Sequence, residues 1–263
     1  MSRLVTMVRG RGIVYLRDLL RELVGRDMKL RYKRSVLGIG WSLLNPLAQL
    51  LVFSLLFRFV LPLHIPRYSL FLFTGVLAWN WFQQSLFLAT GAITDNRELI
   101  RQPGFPPAIL PVAIVTTNLL HFLLALPILL FFLFVTGGRL TTVVLLLPLL
   151  LALQFCLTLG LAYLVATFHV AFRDTQYLLG VFLLLAFYLT PVFYDISAIP
   201  ARYQRLYRLN PMTGLIDGYR AILMRGEAPD SPSLLALSVL TGALLWGGAL
   251  VFKRASYRFV EEL

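Results

Sequence analysis

Six stretches of this chain contain no Asp, Glu, Lys or Arg: residues 36–57, 68–94, 102–138, 140–172, 175–194 and 231–252. Each holds at least 20 residues, and about 20 largely apolar residues are what a helix needs to cross the hydrocarbon core of a bilayer. The chain as a whole is 59% hydrophobic and only 14% charged. A chain of 263 residues cannot hide that many apolar side chains in a water-soluble core. A soluble enzyme, a disordered regulator and a disulfide scaffold are therefore excluded. The runs show no strand-like alternation, which rejects a membrane β-barrel. The expected fold is an all-α integral membrane protein with six transmembrane helices in a single transmembrane domain. The spans are placed at about 36–60, 68–94, 106–136, 141–170, 175–194 and 231–252.

The net charge of +12 would suggest nucleic acid in a soluble protein, but its placement argues otherwise. Ten basic residues precede the first apolar run: Arg3, Arg9, Arg11, Arg17, Arg21, Arg26, Lys29, Arg31, Lys33 and Arg34. Six spans put both termini on one side, and that side would also hold Arg97, Arg101, Arg173, Lys253, Arg254 and Arg258. The other side holds eight basic residues, so the positive-inside rule places both termini in the cytoplasm. The first apolar run is longer than a signal peptide's, so the N-terminus is expected to be retained. The lone Cys156 can form no intramolecular disulfide and reads as a small hydrophobe in an apolar stretch.

Three connections are more than turns. Residues 13–34 place Ile13, Leu16, Leu20, Leu23 and Val24 on one helical face and Arg17, Asp18, Arg21, Glu22 and Arg26 on the other. That pattern predicts an amphipathic helix lying in the membrane interface, within a cytoplasmic segment 1–35. A charged piece followed by Pro103, Pro106, Pro107 and Pro111 forms the loop 95–105 and its exit. The long loop 195–230 carries Asn210 as N-cap, Pro211 as first helical residue and Gly226 past the end, which predicts a helix over 212–224. Its Leu215, Ile216, Tyr219, Ile222 and Leu223 suit a helix dipping back into the outer leaflet. No internal repeat supports an inverted-repeat transporter.

An energy source is missing from the chain. Its lysines are Lys29, Lys33 and Lys253, none of which follows a glycine, so a P-loop is excluded. The apolar runs lack the mid-membrane ionisable groups of ion-coupled carriers. His64, His121 and His169 are too scattered for a metal site, and no catalytic triad or carboxylate pair stands out. The residues describe a passive pathway driven by another subunit.

The segment RYKRSVLGIGWSLLNP at 31–46 resembles the start of the membrane subunit of ABC-type polysaccharide exporters, which carry O-antigen, capsule and teichoic acid chains. Three further blocks agree in order. NRELIRQPGFPPAILP (96–111) is similar to the cytoplasmic loop on which the family's ATPase docks. FRDTQYLLG (172–180), followed by YLTPVFYDISAIP (188–200), resembles span 5 and the entry of the outer loop. LNPMTGLIDGYRAILMRG (209–226) is similar to the periplasmic gate region. The docking loop departs from the family pattern at Gly104 and Pro107, where a bulky residue and a charge are expected.

The resemblance implies a homodimer of six-span subunits in a bacterial cytoplasmic (inner) membrane, joined by two copies of a nucleotide-binding ATPase. ATP and Mg would act on that partner, and no cofactor or metal is expected on this chain. The substrate would be a lipid-linked glycan, with membrane lipids as further contacts and no nucleic acid. Docking falls to Asn96, Glu98, Leu99, Arg101 and Phe105, and the gate, re-entrant from the periplasmic side, to Leu215, Ile216, Tyr219 and Ile222. Arg31, Lys33, Arg34 and Arg173 suit the diphosphate of a lipid-linked glycan. Trp41, Asn45, Phe53, Phe57, Phe187, Tyr188 and Tyr194 are candidates for the substrate path, because rings offer sugar C–H faces a hold without strong bonds. Pro46 would kink the first span, and Arg173–Asp174 could pair across the turn between spans 4 and 5. The alternative is an ABC exporter subunit for a small hydrophobic drug or lipid. A membrane phosphatase or glycosyltransferase would need clustered acids and histidines that the sequence lacks.

Overall fold

The structure is a computed structural model that describes residues 2–33, 40–56 and 65–262. The described residues form helices, turns and coil, with no strand among them. The N-terminal helix α1 (Ser2–Tyr32) is longer than the amphipathic pattern suggests. Its Leu23 and Val24 are buried, whereas Ile13 and Leu16 lie exposed. That split is what an interface helix shows when only its last turns reach the bundle. Helix α2 (Gly40–Leu55) contains Pro46, and it is shorter than the apolar run it belongs to.

Helix α3 (Tyr68–Thr90) is the centre of the fold, with 16 of its residues buried. It ends in the segment leading to the short helix α4 (Arg97–Ile100), after which α5 (Ile109–Val135) begins. Helix α6 (Leu147–Ala171), entered through a 3-10 turn at Thr142–Leu146, runs back beside it. Helix α10 (Ser231–Ser256) lies along α6, and the crossing is made at two glycines. A Cβ on Gly160 would sit 2.6 Å from the Leu244 carbonyl oxygen, and one on Gly248 would strike the Gly160 carbonyl. Without a hydrophobic drive between helices in lipid, such close backbone approach is a main source of their attraction.

Helix α7 (Thr175–Leu189) stops before the run 175–194 is used up. Thr190 turns extended at ψ 137°, and Pro191 follows with no N–H to donate. Helices α8 (Ala201–Arg208) and α9 (Pro211–Arg220) fill the long connection to α10. Helix α9 continues as one wide π turn over Ala221–Arg225 and stops at Gly226, whose φ of 69° a side chain resists. A last short helix, α11 (Phe259–Glu262), tucks Phe259 against Phe252 at 5.2 Å.

Among the described residues, three helical stretches are long and apolar enough to cross a membrane: 109–135, 142–171 and 231–256. Shorter apolar helices run over 43–55 and 175–189. The chain therefore builds an all-helical, multi-pass membrane protein.

Candidate functional site

The start and the middle of α3 carry different chemistry. Toward α1, a groove of about 280 Å³ opens between α1, α2, α3 and α5. Arg31, Trp41 and Asn45, all singled out in the sequence, line it together with Asn80, Gln84, Asn118 and His121. The Arg31 guanidinium stands 3.4 Å from His121 Nδ1. Asn80 donates to Gln49 Oε1 at 3.1 Å, and buried Asn118 donates to the Ile114 carbonyl. The half-buried Asn80 and Gln49 amides hold each other in place while keeping lone pairs and N–H groups to offer. Such a surface matches hydroxyls and phosphate oxygens. Asn80, Gln84 and Asn118 escape a search for charged residues, yet their signal is present: amides recur inside charge-free runs at helical spacing, as in Asn45 and Gln49.

Lys33 is exposed just beyond α1, and Arg173 is exposed in the α6–α7 turn without lining this groove. Arg34 and Phe57 lie outside the described residues. The ion pairs among the described residues are Arg17–Asp18, Arg225–Asp217 and Arg225–Glu227, so Arg173 and Asp174 do not form the anticipated pair.

Beside the groove, the loop between α3 and α5 is fastened to α1. Arg26 donates to Asn96 Oδ1 at 3.0 Å, and Asn96 donates in turn to the Ala92 carbonyl. Ile100 is buried, Leu99 and Phe105 are half-buried against the core, and Glu98 and Arg101 point outward. Asn96 and Phe105 thus hold the loop, and Glu98 and Arg101 form its outward surface.

Nearer the start of α3, four of the five described path aromatics meet. The Phe53 ring stacks on Phe193 at 5.6 Å with only 3° between planes. Phe187 lies 6.1 Å from Phe53, 5.4 Å from Tyr188 and 5.9 Å from Trp79. Tyr194 packs edge-on to Phe193 and donates its hydroxyl to the Tyr188 carbonyl. Phe193 and Trp79 join the cluster without having been picked out from sequence. Trp41 stays with the groove near α1.

Helix α9 caps this end. The Asn210 side chain accepts from the Met212 N–H and donates to the Thr190 hydroxyl at 2.8 Å. Leu215, Ile216, Tyr219 and Ile222 are all buried. Tyr219 packs 5.9 Å from Phe122. The residue that sequence reasoning passed over is Arg220, a lone cation in an apolar helix and only 4% exposed. It donates to the carbonyls of Pro191 (2.8 Å), Val192 (2.6 Å) and Phe71 (3.3 Å). Burial pulls its pKa from 12.5 down to about 9, with Asp195 and Asp217 opposing the shift, so it stays a cation at neutral pH. Burial alone would raise the Asp195 carboxyl, but the Ser197 donors and the charges of Arg220 and Arg225 hold it below its ordinary value. No group of three metal-ligating side chains occurs among the described residues.

The sequence profile of the ABC-2 type transporter family matches residues 18–224. The O-antigen export system permease protein RfbA of Myxococcus xanthus is 38% identical over 255 residues, covering 96% of this chain and 98% of that protein. The protein of the same name from Klebsiella pneumoniae is 33% identical, covering 95% and 96%. The polysialic acid transport protein KpsM of Escherichia coli is 23% identical, covering 87% and 90%.

Proposed function

The chain belongs to the ABC-2 type transporter family, and from that membership we propose that it is the membrane subunit of an ATP-driven exporter of a lipid-linked polysaccharide. The carrying observation is the alignment with O-antigen export permeases over nearly the full length of both partners. In this reading two copies form the pathway in the bacterial inner membrane, and each receives an ATPase subunit at the loop holding Glu98 and Arg101. The subunit spans the membrane six times with both termini inside, as the basic N-terminal segment favours. The groove at Arg31 and His121 receives the anionic head of the lipid carrier. The aromatic cluster around Phe53 and Phe193 meets the sugar chain on its way out, beneath a gate made by α9.

The chemistry of each region supports the assignment. Amides and a guanidinium suit a diphosphate and sugar hydroxyls. The rings near the start of α3 offer apolar faces to a moving chain, and many weak contacts let it slide. The test is reconstitution of the full chain with its ATPase in liposomes containing a lipid-linked glycan, scored by ATP-dependent passage of the glycan across the bilayer. No passage of glycan, with transport of a small lipid or drug instead, would overturn the substrate. Replacing Glu98 and Leu99 together with Ala should leave insertion intact and uncouple ATP hydrolysis from export. Unchanged export in that double variant would remove the docking role.

A further inference from the structure

Burying a charge away from water is costly unless its surroundings replace the lost hydration. Arg220 meets that demand without a carboxylate at bonding distance among the described residues. Its Nη1 donates to the Pro191 carbonyl, its Nη2 to the carbonyls of Val192 and Phe71, and its Nε to Phe71 at 3.4 Å. The guanidinium carbon lies 3.4 Å from the centroid of the Phe71 ring, a cation–π contact in a dry setting. Packing alone could be met by a neutral side chain of similar volume. A fork of fixed N–H donors is what reaches carbonyls on two separate elements at once.

Two of those carbonyls come from the place where a helix breaks off, and the third from inside the first turn of another. Pro191 and Val192 lie past the end of α7, where backbone oxygens have lost their helical partners. Phe71 is in the first turns of α3. Space for the fork exists because position 75 is glycine: a Cβ there would come within 2.8 Å of both Arg220 Nη2 and the Val192 carbonyl oxygen. Two lesser ties join the same three elements, the Asn210 bond to Thr190 and the Tyr68 hydroxyl's bond to the Phe193 carbonyl.

We propose that Arg220 is a positioning residue: its guanidinium latches α9 to the end of α7 and the start of α3, so that the gate helix and the segment bearing Phe193 and Tyr194 move as one body. The proposal rests on the transport reading for its consequence and on the contacts alone for its mechanics. A gate built this way does not open by swinging α9 aside. It shifts together with the aromatic cluster, so access and glycan contact change in the same step.

The test compares wild type with R220M, R220K and G75V, as the full chain with its ATPase in lipid nanodiscs. Hydrogen exchange is followed by peptide, and glycan export per ATP is measured in liposomes. In R220M and G75V, exchange should rise at least tenfold in 189–197 and 211–226, with α6 and α10 unchanged and export per ATP reduced at least tenfold. R220K should not restore either readout, since a single ammonium cannot span the two elements. An equal rise in α6 and α10 would assign Arg220 to general packing, and unchanged local exchange would remove the latch; either overturns the proposal. Full rescue by R220K would show that charge alone suffices and would overturn the fork. Exchange needs no transport, so a wild type that moves no glycan refutes the substrate reading and leaves this arm intact.

Discussion

Two arginines, one beside the start of α3 and one beside its middle, solve opposite problems. Arg220 is almost wholly enclosed, and nearly every N–H it owns is spent on a carbonyl or held over a ring. Arg31 is exposed at the mouth of an amide-lined groove and has His121 as its neighbour. From Phe71 to Gln84 along α3 the separation is roughly 20 Å, so one helix carries both environments. The contrast shows that charge inside this molecule is not one signal. A cation whose donors are exhausted by backbone is tied into the fold, and a cation among amides at a groove mouth keeps donors to offer.

The contrast breaks down if either region behaves like the other. The largest effect is expected at the enclosed region. Asn210→Ala removes the cap of α9 and its bond to the buried Thr190 hydroxyl, and should cost about 1–2 kcal/mol in stability, read as a lowered unfolding midpoint. A midpoint equal to wild type would show that the region is not tightly held. At the open region, Arg31→Gln should leave the midpoint in place and raise the apparent Michaelis constant for lipid-linked glycan roughly fivefold, the worth of about 1 kcal/mol in a charge-assisted contact near water. A fall in midpoint as large as that of Asn210→Ala would erase the distinction between the two arginines. A smaller sharpening comes from Asn80→Leu, which deletes the donor to Gln49. Export should fall by about threefold, less than a full hydrogen bond would cost, because the half-exposed amides rebond to water. Full export in that variant would take the amides out of the path.

The weakest effect is a response to acid at α10. The Ser233 hydroxyl and N–H donate to Asp230 and hold its carboxyl below the ordinary value. A carboxyl depressed in the folded state stabilises above its unfolded pKa, and that contribution disappears as pH falls through the folded value. Protection of the amides in the first turn of α10, their exchange rate taken relative to the intrinsic rate at each pH, should therefore fall on acidification below the ordinary carboxylate range and stay flat above it. In Asp230→Asn the acid response should vanish; its persistence would assign the effect to another group.

Much of the fold was legible because hydrophobic run length and caps are local signals. Asn210, Pro211 and Gly226 mark the beginning and end of the α9 segment from sequence alone, and Asn210 caps it as the pattern requires. Where helices end inside an apolar run was not legible. Pro191 signals a break within 175–194, but that α7 stops at Leu189 also depends on donors 20 and 29 positions away, Asn210 to the Thr190 hydroxyl and Arg220 to the Pro191 carbonyl. The site was half legible for the same reason. Phe53, Phe187 and Arg31 stand out as candidates because a ring or a charge beside an apolar run is visible in the sequence, and the structure places them in the cluster and the groove. Asn80, Asn118 and Arg220 gain their meaning only when α2, α3, α5 and α9 are brought together.

The crossing of α6 and α10 has a genetic consequence. Every missense change of a glycine codon adds at least one carbon, so Gly160 and Gly248 have no conservative neighbour within reach of a single-base mutation: even alanine collides with backbone that cannot step aside. Gly247, one residue earlier, meets nothing within 4 Å and should accept the same changes. Adjacent codons for the same amino acid would then differ sharply in a saturation library, with variants surviving at 247 and disappearing at 248.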